Sequence, residues 1–142
     1  MMNKLSIIIP IFNEEEAIPY LYNRLIKVAE KIDNYDLEFL FVNDGSKDSS
    51  LNLIKEYKKS DDRITYLSLS RNYGKEIAMK AAIDYVNSDV VVIMDADLQH
   101  PPELILEMLK FYHLGYDDVY GKRKGREKES FLKRSCSKIF YK

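Results

Sequence analysis

Apolar residues in this chain are concentrated in short strand-length segments, separated by longer stretches in which they recur every three or four positions. Four runs have strand length and a β-branched or aromatic character: Leu5 to Ile11, Leu37 to Val42, Ile64 to Leu69 and Val90 to Met94, with a shorter fifth candidate at Asp118 to Tyr120. The intervening stretches read as helices. Ile18, Leu21, Leu25 and Val28 fall at helical spacing within Glu14 to Ile32. Leu53 and Ile54 repeat the pattern in Ser49 to Tyr57, and Ala78, Ala81, Ala82 and Tyr85 repeat it in Gly74 to Val86. A last helix opens at Pro101 and Pro102, where a missing N–H costs nothing, and runs through Leu104 and Met108 to Leu114 before Gly115. Alternation of strand and helix predicts an α/β fold: a mostly parallel sheet with helices on both faces, whose ligands bind beyond the carboxyl ends of the strands.

Polar residues gather where each predicted strand ends. The first strand runs into Phe12-Asn13-Glu14, the second into Asn43-Asp44-Gly45-Ser46, and the third into Ser70-Arg71-Asn72-Tyr73-Gly74-Lys75. The fourth, Val90 to Met94, reads as buried on both faces and ends in Asp95-Ala96-Asp97. Positions i and i+2 at a strand end point the same way, so the two carboxylates are expected to share a side. Like charges placed together make sense around a cation, and hard oxygen ligands select Mg²⁺ or Mn²⁺. Each feature also has a plainer explanation. Asp95 is a possible cap for the helix near Pro101 with Asp97 merely solvated, Asn13 or Asp48 are possible caps, and Arg71 and Lys75 possible solvated charges. Their coincidence at one sheet edge favours a site.

Composition narrows the chemistry. The chain of 142 residues is of single-domain length, with the apolar and charged fractions of a globular protein. No apolar run is long enough to span a bilayer and no signal-peptide pattern opens the chain, so it is expected to be cytoplasmic. The single Cys136 has no disulfide or metal-site partner, and His100 and His113 say little alone. Near-zero net charge hides an asymmetry: residues 121–142 hold nine Lys or Arg against two Glu, whereas the rest holds 13 basic and 21 acidic residues. Such a basic end suggests contact with a polyanion, or else a solvated terminus. Within it, Phe131, Leu132, Cys136, Ile139 and Phe140 fall on one helical stripe flanked by basic residues, which suits either a membrane surface or ordinary packing. We divide the chain into a core, 1–120, and a basic amphipathic segment, 121–142. Neither Gly-x-x-x-x-Gly-Lys-Ser/Thr nor Gly-x-Gly-x-x-Gly occurs, so glycine amides are not expected to cradle phosphate.

Four segments, Ile8 to Glu14, Val42 to Asp48, Ser70 to Lys75 and Met94 to Glu103, resemble in order and spacing the family 2 glycosyltransferases of GT-A fold. The sequence is most similar to the branch that moves a sugar onto a polyprenyl phosphate, which includes dolichol-phosphate mannosyltransferases and bactoprenol glucosyltransferases. The resemblance implies an inverting transfer from a nucleoside-diphosphate sugar, with UDP the expected carrier, and no nucleic-acid partner. It implies that Pro10, Phe12 and Glu14 line the nucleoside pocket, that Asp44 reads the base, and that Arg71 and Lys75 lie beside the nucleotide. Asp95 and Asp97 are then catalytic, with Asp95 on the ribose or donor-sugar side. Asp97 is the principal ligand of Mg²⁺ or Mn²⁺, completed by Gln99, and Arg123, Arg134 and Ser137 contact the acceptor phosphate.

Members of that family continue well past this length, so the chain is expected to be truncated or naturally short, with an incomplete acceptor side. Exposed apolar surface would then be covered by a second copy, as a homodimer. A polyprenyl-phosphate acceptor places the protein at the inner membrane face. The alternative is a non-catalytic nucleotide-binding fragment.

Overall fold

The computed structural model describes residues 2–122. Four strands alternate with four helices: β1 (Asn3–Ile11), α1 (Ala17–Ala29), β2 (Tyr35–Asn43), α2 (Ser50–Ser60), β3 (Ile64–Ser68), α3 (Lys75–Tyr85), β4 (Val90–Ile93) and α4 (Leu104–His113). The strands pair in parallel in the order β3-β2-β1-β4, with Ile7 opposite Phe39 on one side and Val92 on the other. Parallel neighbours require crossovers, and the helices supply them on both faces of the sheet.

The two central strands explain the continuous apolar runs. Leu5 and Ile7 to Ile9 of β1, and Phe39 to Val42 of β2, have no solvent exposure. Leu5, Ile7, Ile9 and Ile11 alternate onto one face and join Ile18, Leu21 and Leu25 of α1, Ile54 of α2, and Ile105 and Leu109 of α4. On the other face, Ile8, Leu40 and Val42 meet Ala78 and Ala82 of α3. Small alanines there let the helix approach the sheet closely.

Two expectations change. The strand ending at the paired aspartates is not buried on both faces: Val91 and Ile93 are 39% and 45% exposed. Among the described residues β4 is an edge strand, and α3, which covers that face, packs over β1 and β2. An apolar run reads the same in sequence whether or not a helix lies over it. The segment Asp118 to Tyr120 forms no strand; it follows the positive-φ turn at Gly115 as irregular chain. Among the described residues no helix is long and apolar enough to cross a membrane.

Candidate active site

In an open parallel sheet, the crevice lies where strand order reverses, because the neighbouring crossovers leave in opposite directions. Here that point lies between β1 and β4. A cleft of about 350 Å³ opens there, lined by Pro10, Phe12, Glu14, Asp44, Lys75, Asp95 and Asp97. Each of these was singled out from the sequence, and four separate strand-end loops contribute them.

The loops are held by hydrogen bonds to one another. The Asn13 amide donates to Ser46 Oγ (3.0 Å), and Asn13 Oδ1 accepts from the Lys47 amide (2.8 Å). Likewise, the Glu14 amide donates to Ser50 Oγ (2.8 Å), and Glu15 accepts from the Ser49 amide (2.8 Å). Asn13 has φ of 52°, a left-handed conformation that asparagine tolerates better than most residues. The β2 loop in turn holds the β3 loop. Asp44 is 3% exposed, and its two oxygens accept the amides of Tyr73 (2.8 Å) and Gly74 (2.9 Å). Gly74, with φ of 98°, is the N-cap of α3, so this bond sets where the helix begins. The first residue of α3 is Lys75, and its ammonium pairs with Asp95.

Asp95 therefore does not cap α4, whose N-cap is Glu103. Asp97 is exposed, and its Oδ1 accepts the Gln99 amide at 3.0 Å. Leu98 between them has φ of 59°, a conformation that costs a non-glycine residue about 1–3 kcal/mol and persists only where the surroundings impose it. The far end of this loop is tied down by a bidentate pair between Arg24 of α1 and Glu103. Glu14 is partly buried, and its pKa is raised, first by burial and then by the nearby charges of Asp97, Asp48 and Asp95. The cleft is thus an anionic surface on which Lys75 is the lining cation.

Ligand atoms of Asp95, Asp97 and His100 lie within 4.8 Å of one another, a spacing at which they could share a cation. The two carboxylates suit Mg²⁺ or Mn²⁺, and the imidazole favours Mn²⁺ of the two. His100 is a residue the sequence reading passed over; its signal was the three-residue step from Asp97. Gln99 does not line the cleft; its backbone amide is the donor to Asp97 Oδ1. Arg71 is not a lining residue either: its guanidinium lies 4.8 Å from the centre of the Tyr73 ring, a cation–π contact. Asn72 and Gly74 line the cleft beside the expected residues. Arg123, Arg134 and Ser137, and the amphipathic stripe, lie outside the described residues.

Fold and cleft together define a Rossmann-like α/β domain with an acidic site at its topological switch point. The chain belongs to glycosyl transferase family 2, whose model matches residues 6–142. It is 44% identical to the uncharacterized glycosyltransferase YkcC of Bacillus subtilis (strain 168), over 96% of this chain and 42% of that protein. It is 40% identical to the bactoprenol glucosyl transferase of Shigella phage SfX, over 98% of this chain and 45% of that protein. The chain thus spans less than half the length of the curated relatives it matches. Among solved structures, it is similar to the Pyrobaculum calidifontis mannosyltransferase in complex with GDP-Man and Mn²⁺ (TM-score 0.67, 22% identity, 84% of this chain and 34% of that one). It is also similar to Staphylococcus aureus TarS 1-349 in complex with UDP-GlcNAc (TM-score 0.64, 21% identity, 89% and 38%). These likenesses define the fold as GT-A.

Proposed function

We propose that the cleft binds a nucleoside-diphosphate sugar and forms the donor half of an inverting sugar transfer to a polyprenyl phosphate. The observation that carries this reading is the convergence of Phe12, Asp44, Lys75, Asp95 and Asp97 on one cleft at the switch point. The relatives named bactoprenol glucosyl transferase support the acceptor class. The nucleotide-sugar complexes of the structural neighbours support the donor class.

The half-exposed ring of Phe12 offers a stacking surface for a base. Asp44 keeps acceptor capacity beyond its two backbone bonds, since each carboxylate oxygen has two lone pairs, and takes a base N–H; uracil is the expected partner. Asp97, with Asp95 and His100, would hold Mg²⁺ or Mn²⁺, which would supply positive charge to a departing diphosphate. Lys75, at the positive end of α3, adds a second cation on the diphosphate side, with Arg71 behind it. In the reaction an acceptor phosphate oxygen attacks the anomeric carbon as the bond to the diphosphate breaks, which inverts the centre. A phosphate monoester has its second pKa near about 6, so it attacks as a dianion without a strong general base. Its charge then requires cations on the acceptor side, the role proposed for Arg123 and Arg134, with Ser137 proposed to donate a hydrogen bond to the phosphate. A polyprenyl acceptor places the domain at the cytoplasmic membrane surface.

A second reading is a nucleotide-binding module that transfers nothing. Calorimetric titration of UDP, GDP and their sugar conjugates, with and without Mn²⁺, on the chain and on Asp97→Ala, tests the donor site. Metal-dependent binding of one base, lost in the variant, is expected. Turnover with a supplied polyprenyl phosphate separates transferase from module, and absence of nucleotide binding under every metal condition rejects both.

A further inference from the structure

Residues 94–103, between β4 and α4, form the loop that carries Asp95, Asp97 and His100. The sheet and the core fix its near end: the Met94 amide donates to the Ile8 carbonyl of β1 (3.0 Å), and Met94 and Ala96 are buried. Asp97 and His100 lie further out, on either side of Leu98 and its positive φ. The far end is Glu103, the N-cap of α4. An N-cap favours a short side chain that can bond the amides of the first turn, and Glu103 makes no such bond. Its carboxylate instead accepts from the Arg24 guanidinium of α1, Nε to Oε1 at 3.1 Å and Nη2 to Oε2 at 2.5 Å.

The two side chains are 37% and 48% exposed. An ion pair so exposed adds little to stability, because water screens it and two long side chains must be ordered. A bidentate fork does something else: it fixes distance and direction together, which a point charge does not. The helix that carries Arg24 also begins beside the cleft. Glu14 lines the cleft, its carbonyl accepts the amides of Ala17 and Ile18 at 3.0 Å, and Arg24 lies about two turns further along α1. One helix therefore spans from the Glu14 wall to the end of the loop that supplies Asp97.

We propose that Arg24 is a positioning residue: through Glu103 it holds the loop 94–103 in the shape that brings Asp97 and His100 together beside Asp95. The inference rests on the cation-site reading for what the loop binds, and not for the tether itself. A loop already in shape need not be ordered at the expense of binding. If Arg24 acted only as a nearby charge, its neutralisation would raise the affinity of an acidic site for a cation. Loss of positioning lowers that affinity, so the sign of the effect separates the two.

The test uses the full chain, with Mn²⁺ binding followed by electron paramagnetic resonance, amide hydrogen exchange measured without metal, and urea unfolding. Arg24→Gln is expected to lower Mn²⁺ affinity by about three- to tenfold. It is expected to speed exchange in residues 96–103 while β1 and β2 exchange as in the parent, and to leave the urea midpoint near that of the parent. Arg24→Lys, which keeps one bond without the fork, is expected to bind Mn²⁺ with an affinity between the two. Adding Glu103→Gln to Arg24→Gln is expected to cost little more, because the two side chains act as one unit. A pure charge effect gives the reverse order, with Arg24→Gln binding Mn²⁺ most tightly, and that order overturns the proposal. So does unchanged Mn²⁺ affinity, or exchange that speeds uniformly along the chain, the mark of a general loss of stability. A parent chain that binds no Mn²⁺ rejects the cation site. Faster exchange confined to 96–103 then still upholds Arg24 as the tether of the loop, and unchanged exchange rejects it.

Discussion

The carboxylate of Asp44 accepts the backbone amide of Gly74 across 30 residues of chain, and so fixes the first turn of α3 from the end of β2. The same side chain accepts the Tyr73 amide through its other oxygen. One buried group therefore carries two duties, lining the cleft and positioning the loop that delivers Lys75. Asp44→Asn keeps one carbonyl acceptor but turns an NH₂ toward an amide donor, so at least one bond is replaced by a repulsive contact. Loss of a charge-assisted bond of this kind costs about 1.5–3 kcal/mol. The expected result is weaker binding of UDP and GDP alike, and little further loss when Lys75→Ala is added. A double-mutant cycle read by calorimetry checks this; additive losses would show that Asp44 acts on the base alone.

Gly45 makes the other contact between these loops. Its φ is 68°, and a Cβ added there would lie 2.4 to 2.7 Å from the backbone of Arg71 and Asn72, atoms that cannot swing away. Gly45→Ala must therefore push the β3 loop off Asp44, and strain at such a position is worth about 1–3 kcal/mol. The chain should lose that stability in urea unfolding, and nucleotide affinity should fall with it. An equally stable variant would mean that the two loops can separate freely.

How much of this was legible in the sequence depends on the range of the interaction. The four strands and the helices between them appear in the apolar periodicity, because burial of β1 and β2 on both faces leaves runs such as Ile7 to Ile9 and Phe39 to Val42. Glu14, Asp44, Lys75, Asp95 and Asp97 stand out where readable strands end, whereas Pro10 and Phe12 were marked by the family resemblance; all seven line the cleft. The exposed face of β4 was not legible, because coverage by α3 is a property of packing and not of Val91 or Ile93. Nor was the bond from Asp44 to Gly74, which joins two loops with no local signature. His100 was invisible for a related reason: a lone histidine acquires meaning only once a turn brings it beside Asp95 and Asp97. That turn includes Leu98 at positive φ, which no propensity rule predicts.

A cation among Asp95, Asp97 and His100 should discriminate between the two neighbours of Asp97. Imidazole favours later first-row metals more than an amide oxygen does. His100→Ala is therefore expected to lower the affinity for Mn²⁺ more than that for Mg²⁺, by about tenfold or more where a ligand is lost. Gln99→Ala should leave the ratio near that of the parent chain. Metal titrations followed by Mn²⁺ electron paramagnetic resonance measure both; the reverse pattern would assign the third ligand to Gln99.

Away from the cleft, Asp61 and Tyr22 are expected to contribute a pH dependence to the stability of the fold. Asp61 is 8% exposed, accepts two bonds from the Arg63 guanidinium at 2.8 Å, and accepts the Tyr22 hydroxyl at 2.9 Å. The Arg63 bonds, followed by the Tyr22 bond, outweigh burial and hold the Asp61 carboxyl below its ordinary value near 3.8. A depressed carboxyl stabilises the native state above its unfolded pKa, and that stability is lost as pH falls through the folded value. Tyr22 behaves in the opposite sense. Burial, followed by the bond to Asp61, pushes its hydroxyl up to about 12 from 10. Its stabilisation is therefore complete below pH 10 and lost as pH rises through about 12. Tyr22→Phe should flatten the alkaline limb and weaken the acid one, because Asp61 keeps its arginine. Asp61→Asn should remove the acid limb and shrink the alkaline one, since burial alone then raises Tyr22. It should also cost about 2–4 kcal/mol at neutral pH, because the charge facing Arg63 is gone. Urea midpoints measured from acid to alkaline pH give both limbs; an Asp61→Asn profile parallel to that of the parent would show that the acid limb belongs to the carboxylates of the cleft instead.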